Sequence, residues 1–214
     1  MKKKARTPAA PKHHPKYYFD TGDIIFLVEK CLFCVHRHFF IRESVVFHDM
    51  LSIPSGSDTT IEGLSDENPI VLQDVKKVHF EWMLWMFYNE SYTDHTASAE
   101  TWEAIMCLAD KWQFERMSDV AYKAYIALPD VPPVDKIVLG QRYDVPRKYL
   151  LEPYLQICQR VKSLSVEEGH ALGLETLALI AQTREELKQR SYNINQKEIV
   201  KNNLIDLKPS YYHR

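Results

Sequence analysis

Two short apolar runs, separated by just two polar residues, do most to limit what this chain can fold into. Asp23-Ile24-Ile25-Phe26-Leu27-Val28 and Cys31-Leu32-Phe33-Cys34-Val35 flank Glu29-Lys30. Runs of this length, rich in branched and aromatic residues, have the size of strands, and a two-residue connection predicts a β-hairpin. Glu-Lys lacks the Asn-Gly chemistry that such tight turns favour. A basic His36-Arg37-His38 then leads into two short helical patterns that break near Glu43-Ser44. Ser44 is placed to cap the second, because its hydroxyl can accept from a free N–H of the first turn. That helix carries Val45, Val46, Phe47, Met50 and Leu51.

The rest of the chain reads as cover for this hairpin. Pro69-Ile70-Val71-Leu72 is a third, β-branched strand, reached through a largely polar segment, 52–68, in which Leu64 stands between polar neighbours and Gly63. A helix is predicted over 74–89. Val75, Val78, Trp82, Trp85 and Met86 form its helical stripe, while Phe80, Met83, Leu84 and Phe87 make it apolar nearly all round, the pattern of a central helix. Two further helices, 99–112 and 114–128, carry the stripes Trp102, Ile105, Met106, Ala109, Trp112 and Phe114, Met117, Ala121, Tyr125. Pro129-Asp130-Val131-Pro132-Pro133 is the clearest linker. Beyond it helices are expected at 134–143, 147–161, 165–172 and 174–190, with Ser165 and Glu168 spaced as a capping box.

Both ends look poorly structured. Residues 1–16 are basic, rich in Pro and Ala and poor in core formers, so a disordered basic tail is expected there. Lys2-Lys3-Lys4-Ala5-Arg6 has the composition of a nuclear import signal, but short basic runs are common, and a solvated tail is the favoured reading. Residues 191–214 read as a polar, fraying C-terminal tail. The domain organisation expected from sequence is therefore 1–16, 17–129, 130–190 and 191–214.

Chemistry is limited by what the residues do not form. A net charge of −2 over 214 residues gives no global basic field, so direct nucleic-acid binding is not expected. The apolar runs fall far short of the roughly 20 residues that cross a bilayer. No apolar segment follows Met1-Lys2-Lys3-Lys4, and four dispersed cysteines fit a reducing compartment, so an intracellular protein is expected, cytoplasmic or nuclear. With 6 glycines there is no Gly-rich phosphate loop, nor an H-E-x-x-H or Gly-x-Ser-x-Gly motif. Nothing argues for an enzyme or a cofactor. Cys31, Cys34, His36 and His38 resemble a zinc ligand set in composition, but residues three apart on a strand point to opposite faces, so buried thiols are the expected reading. Cys107 and Cys158 are expected to be core or half-buried, His170 at the surface, His13-His14 in the tail, and the four tryptophans in the core.

Taken in order, several of these segments resemble the BTB/POZ domain. Asp23–Val28 is similar to that family's first strand with its leading acidic residue. Phe33-Cys34-Val35-His36-Arg37 is similar to its second strand running into the F-x-V-H-R/K start of its first helix. Ser44–Leu51 matches its S-x-x-F-x-x-M-L/F helix through Ser44 and Phe47. Ile70–Val75, Phe80–Tyr88 and Ala109–Phe114 are similar to later strand and helix signatures. The resemblance covers 17–129, and the helices beyond resemble the extension found in fungal proteins of this type. It implies an α+β fold, a small sheet flanked by helical hairpins, followed by an all-α extension. It also implies a protein-interaction scaffold and adaptor without enzymatic activity, with a protein partner, in many members a second copy forming a homodimer, in some a cullin-type ubiquitin ligase. Cullin adaptors carry a hydrophobic-x-Glu motif before the third strand. Leu64-Ser65-Asp66 stands nearest to it, with Asp for Glu, which makes Leu64 and Asp66 the candidate partner-binding residues. A nuclear recruitment role, resting on Lys2–Arg6, is the alternative. The segment before Tyr17 is not expected to supply the exchanged strand of the family's longer dimeric forms.

Overall fold

The structure, a computed structural model, describes residues 10–52, 61–89, 97–189 and 195–206. The chain divides into two compact units, Met1–Ser118 and Asp119–Arg214. The division falls within one helix rather than at the proline-rich 129–133 segment.

The first unit is built on a four-stranded mixed sheet. The predicted hairpin is present as β2 (Ile24–Val28) and β3 (Cys31–Val35), paired antiparallel with Phe26 opposite Phe33. Its turn is made by Glu29 (φ 46°) and Lys30 (φ 67°), both in the left-handed region that the primed hairpin turns need. β4 (Ile70–Val71) is the expected third strand, shorter than predicted and parallel to β2. The fourth strand, β1 (Lys12–Tyr18), lies parallel to β3, giving the order β1-β3-β2-β4.

β1 corrects the expectation of a disordered tail for the described residues before Tyr17; the rest of that tail, 1–9, with the basic Lys2–Arg6 run, lies outside the described residues. Lys, His and Pro conceal the strand in the sequence. His14 and Tyr17 turn inward, at 6% and 4% exposure. The register shifts between His13 and Tyr18, where His14 Nδ1 accepts from the backbone N–H of Lys16 (3.2 Å) and Tyr17 (2.9 Å). That leaves Nε2 to carry the imidazole proton, and it meets Glu81 Oε1 at 2.8 Å.

Cross-strand alternation sorts the hairpin into two apolar faces. Ile24, Phe26, Val28, Phe33 and Val35 are fully buried and share the main core face with Cys31. Against them pack α1 (Arg37–Glu43), α2 (Val45–Ser52) and α3 (Lys77–Tyr88) through Phe40, Phe47 and Phe80, with ring centroids 4.9–5.7 Å from Phe26. The opposite face carries a smaller cluster of Ile25, Leu32 and Cys34 with Tyr18 and Leu27.

The buried residues of α3 are Phe80, Met83 and Leu84. Trp82, Trp85 and Met86, placed on the core stripe from sequence, are half-buried, and Val78 is 40% exposed. With apolar residues on every side, the helix gives no periodic cue to its inner face. In α4 (Ala99–Lys111) and α5 (Glu115–Ala127) the expected stripes are buried, with Trp102 at 0% and Trp112 at 6% exposure.

The second unit is helical. α6 (Pro133–Arg142) is followed by a 3-10 turn (Arg147–Leu150) and α7 (Leu151–Gln159). α8 (Val166–Leu172) opens with the predicted Ser165–Glu168 capping box, and α9 (Leu174–Gln189) follows Gly173. The fraying tail expected over 191–214 is corrected in its described part. α10 (Gln196–Val200) and a π turn (Lys201–Ile205) bury Ile199, Val200 and Leu204. These three apolar residues sit at helical spacing in a largely polar stretch, too few to stand out. Gly140 sits where a Cβ would come within 2.8 Å of the Tyr122 hydroxyl and 2.9 Å of Leu150, so that wall admits glycine.

Candidate functional site

The residues singled out by pattern divide into those that build the frame and those it presents. Asp23 is of the first kind. α1 begins at His36 without a side-chain cap of its own, and Asp23 Oδ1 instead accepts from the N–H of Arg37 at 2.6 Å. An acidic residue leading β2 therefore holds the start of α1, where the helix dipole favours negative charge. The Arg37 guanidinium lies 3.7 Å from the same carboxylate.

His36 joins this junction to α3. Its backbone N–H donates to Tyr88 Oη (3.0 Å), its Nδ1 meets the same hydroxyl at 3.0 Å, and its Nε2 reaches Thr21 Oγ1 at 3.1 Å. Burial pushes the Tyr88 phenol up to about 12, so it stays neutral. Ser44 is the cap predicted from sequence. Its hydroxyl accepts from Phe47 N–H (3.0 Å) and donates to the carbonyl of Trp112, tying α2 to the end of α4. Phe47, at 1% exposure, closes the aromatic core among Phe26, Phe40 and Trp112. All five family-motif residues thus act on the route from β2 to α2.

The segment before β4 is presented outward. Gly63 (φ 84°) turns the chain under Ile70 and Ile24, with 2.9 and 3.3 Å to an added Cβ, and its carbonyl accepts from Ile25 N–H at 2.8 Å. Gly63 N–H donates to Asn68 O (2.7 Å), and Asn68 N–H to Ser65 O (3.1 Å). Within this closed turn Leu64 is 54% exposed. Asp66 has a different fate from Leu64. Its carboxylate accepts from Tyr18 Oη (2.7 Å) and meets His13 Nε2 at 2.6 Å, so β1 grips the turn through it. Burial raises the Asp66 pKa, but the bonds from Tyr18 and His13 outweigh it and hold the carboxyl below its ordinary value. Burial, and then the Asp66 carboxylate, push the Tyr18 phenol up. Sequence reasoning missed Tyr18 and His13 because they lay in or beside a stretch taken as tail.

Cys31 and Cys34 sit on opposite faces of β3, and burial raises both thiols. Among the described residues no group of three or more His, Cys, Asp or Glu is placed to hold a metal ion. Cys158 is buried, whereas Cys107, expected in or near the core, is exposed. No helix among the described residues is long and apolar enough to cross a membrane.

A small mixed sheet with helices on its aromatic face, and an exposed apolar residue on a pinned turn, is the frame of an interaction domain. The family model of the BTB/POZ domain matches residues 16–127, more than half of the chain, and the protein belongs to that family. Its first residue falls within β1, and its last is the end of α5. No curated protein matches the chain. Domains of this family mediate protein–protein interaction, and that is the broad activity of this chain.

Proposed function

We propose that the protein is an adaptor that brings a partner protein to a cullin-type ubiquitin ligase, with Leu64 as the apolar contact. The observation that carries this reading is the exposure of Leu64 on a turn whose backbone is hydrogen-bonded on both sides. A large apolar side chain held out by a rigid turn loses little freedom on binding, so more of its burial appears as affinity. Ile61 and Val71, near Leu64 in the chain, are also exposed, at 50% and 51%.

Asp66 takes a supporting role in this reading. Its oxygens are held by Tyr18 and His13, so it shapes the turn rather than reaching the partner. This separates the two residues that the hydrophobic-x-acidic pattern groups together. The test is co-precipitation from cells with the tagged full chain. A cullin in the wild-type precipitate and its loss with Leu64→Glu are expected. Absence of any cullin from the wild-type precipitate would refute the adaptor role and leave a scaffold of another kind.

A further inference from the structure

A cavity of about 300 Å3 lies within the second unit, beside the 3-10 turn that leads into α7. This size is at the lower end for small-ligand sites. Leu150 and Leu204, each 2% exposed, give it an apolar floor. On its wall Gln141 Nε2 donates to Thr176 Oγ1 at 2.8 Å, so those two satisfy each other.

Tyr154 lines the same cavity, and its hydroxyl is not among the buried polar atoms closed off from solvent. It is 5% exposed, and its hydroxyl has no hydrogen-bond partner among the described residues. Burial pushes this phenol up to about 12, against the pull of Arg147, so it remains a neutral donor at physiological pH. Arg147 also lines the cavity and makes no ion pair with a described residue. Nor do Asp144 and Glu175, exposed on the same lining. A hydroxyl on the wall, a cation beside it and two carboxylates, none of them paired with a described residue, over an apolar floor describe a complementary molecule.

We infer that this cavity binds a small carboxylate with an apolar body and a positive charge near the carboxylate. The ligand carboxylate accepts from the Tyr154 hydroxyl and faces Arg147. Its body rests on Leu150 and Leu204, and its positive charge faces Asp144 and Glu175. A free apolar amino acid has this chemistry, and so does a polypeptide C-terminus whose last residue is apolar and follows a lysine.

Calorimetric titration of the full chain with leucine, with a Lys-Leu dipeptide and with leucinamide tests the site. Heat with leucine identifies a free amino acid as the source, and heat with Lys-Leu alone a chain terminus. Leucinamide, lacking the carboxylate, is expected to be silent. Tyr154→Phe is expected to weaken the bound ligand about tenfold while leaving the melting temperature unchanged or higher, because the hydroxyl it removes bonds to no described residue. Arg147→Gln is expected to weaken binding as well. The inference is overturned if neither carboxylate binds at about 10 mM, a concentration sensitive to millimolar affinity, if leucinamide binds equally, or if Tyr154→Phe binds as wild type. A fall in melting temperature with Tyr154→Phe, showing a structural partner for the hydroxyl, would overturn it too.

Discussion

At the scale of single residues, the chain uses polar side chains to start its helices. Glu29 is the clearest example. Asn-Gly would suit the hairpin turn better, but Glu29 Oε2 accepts from Lys77 N–H at 2.9 Å, at the start of α3, where Lys76 provides no side-chain cap. The turn residue is therefore chosen for the helix it caps. Glu29→Ala is expected to cost about 1 kcal/mol through the lost cap. Lys30→Gly relieves the positive φ without touching that bond, and the strain removed, about 1–2 kcal/mol, less the entropy glycine loses leaves an expected gain of at most about 1 kcal/mol. Urea denaturation of the two variants distinguishes them by opposite shifts in midpoint. Ser44→Ala removes the α2 cap and strands the Trp112 carbonyl, and a loss of about 2 kcal/mol is expected in the same assay. The Ser44 cap was legible because it preceded an apolar periodic run. The Glu29 cap was not, since it joins residues 48 apart in the chain.

At the scale of elements, β1 and the 61–69 turn form a latch. Tyr18 and His13 from the strand meet on the single carboxylate of Asp66. The Asp66 pKa lies below its unfolded value, so its contribution is complete above about pH 4. It is lost as pH falls through the lower, folded value. Protection from hydrogen exchange across 61–69, corrected for the intrinsic pH dependence of exchange, is therefore expected to be high at neutral pH and to fall only in acid. Tyr18→Phe is expected to raise exchange in that segment at neutral pH while leaving β2 and β3 protected. Exchange unchanged by the substitution would show that the turn is held without the latch. The hairpin, α2, α4 and α5 could be read from the sequence, because each announces itself by local periodicity, a turn or a cap. β1 could not. Its inward residues are a histidine and a tyrosine, its spacing is broken by a register shift, and its partners lie in β3, α3 and the 61–69 turn. The core face of α3 was misread for the opposite reason, an excess of apolar residues.

For the whole molecule, the family match and the compact units end at different places. The match runs to residue 127, the first unit to Ser118. The last turns of α5 belong with the second unit, where Tyr122 donates to the carbonyl of Lys136 at 3.2 Å and Lys136 Nζ donates to Leu128 O at 2.8 Å. A fragment ending at residue 128 would expose Ala121, Tyr122 and Tyr125, all buried in the full chain. It is expected to aggregate or to melt lower than the full protein, and equal stability in a thermal scan would show that the 129–206 helices are dispensable. The proline-rich stretch looked like a domain boundary because Pro interrupts helices. Here Pro133 opens α6, a position where its missing N–H has no cost.

In the proposed adaptor one exposed side chain, Leu64, acts as a contact rather than as part of the fold. The most direct measurement is the affinity of the full chain for a cullin, for wild type and for Leu64→Glu, with thermal melting of both. The account predicts binding that weakens at least about tenfold on substitution, with the melting temperature unchanged because Leu64 is 54% exposed. Binding by Leu64→Glu at wild-type affinity, or no binding by wild type, would contradict it.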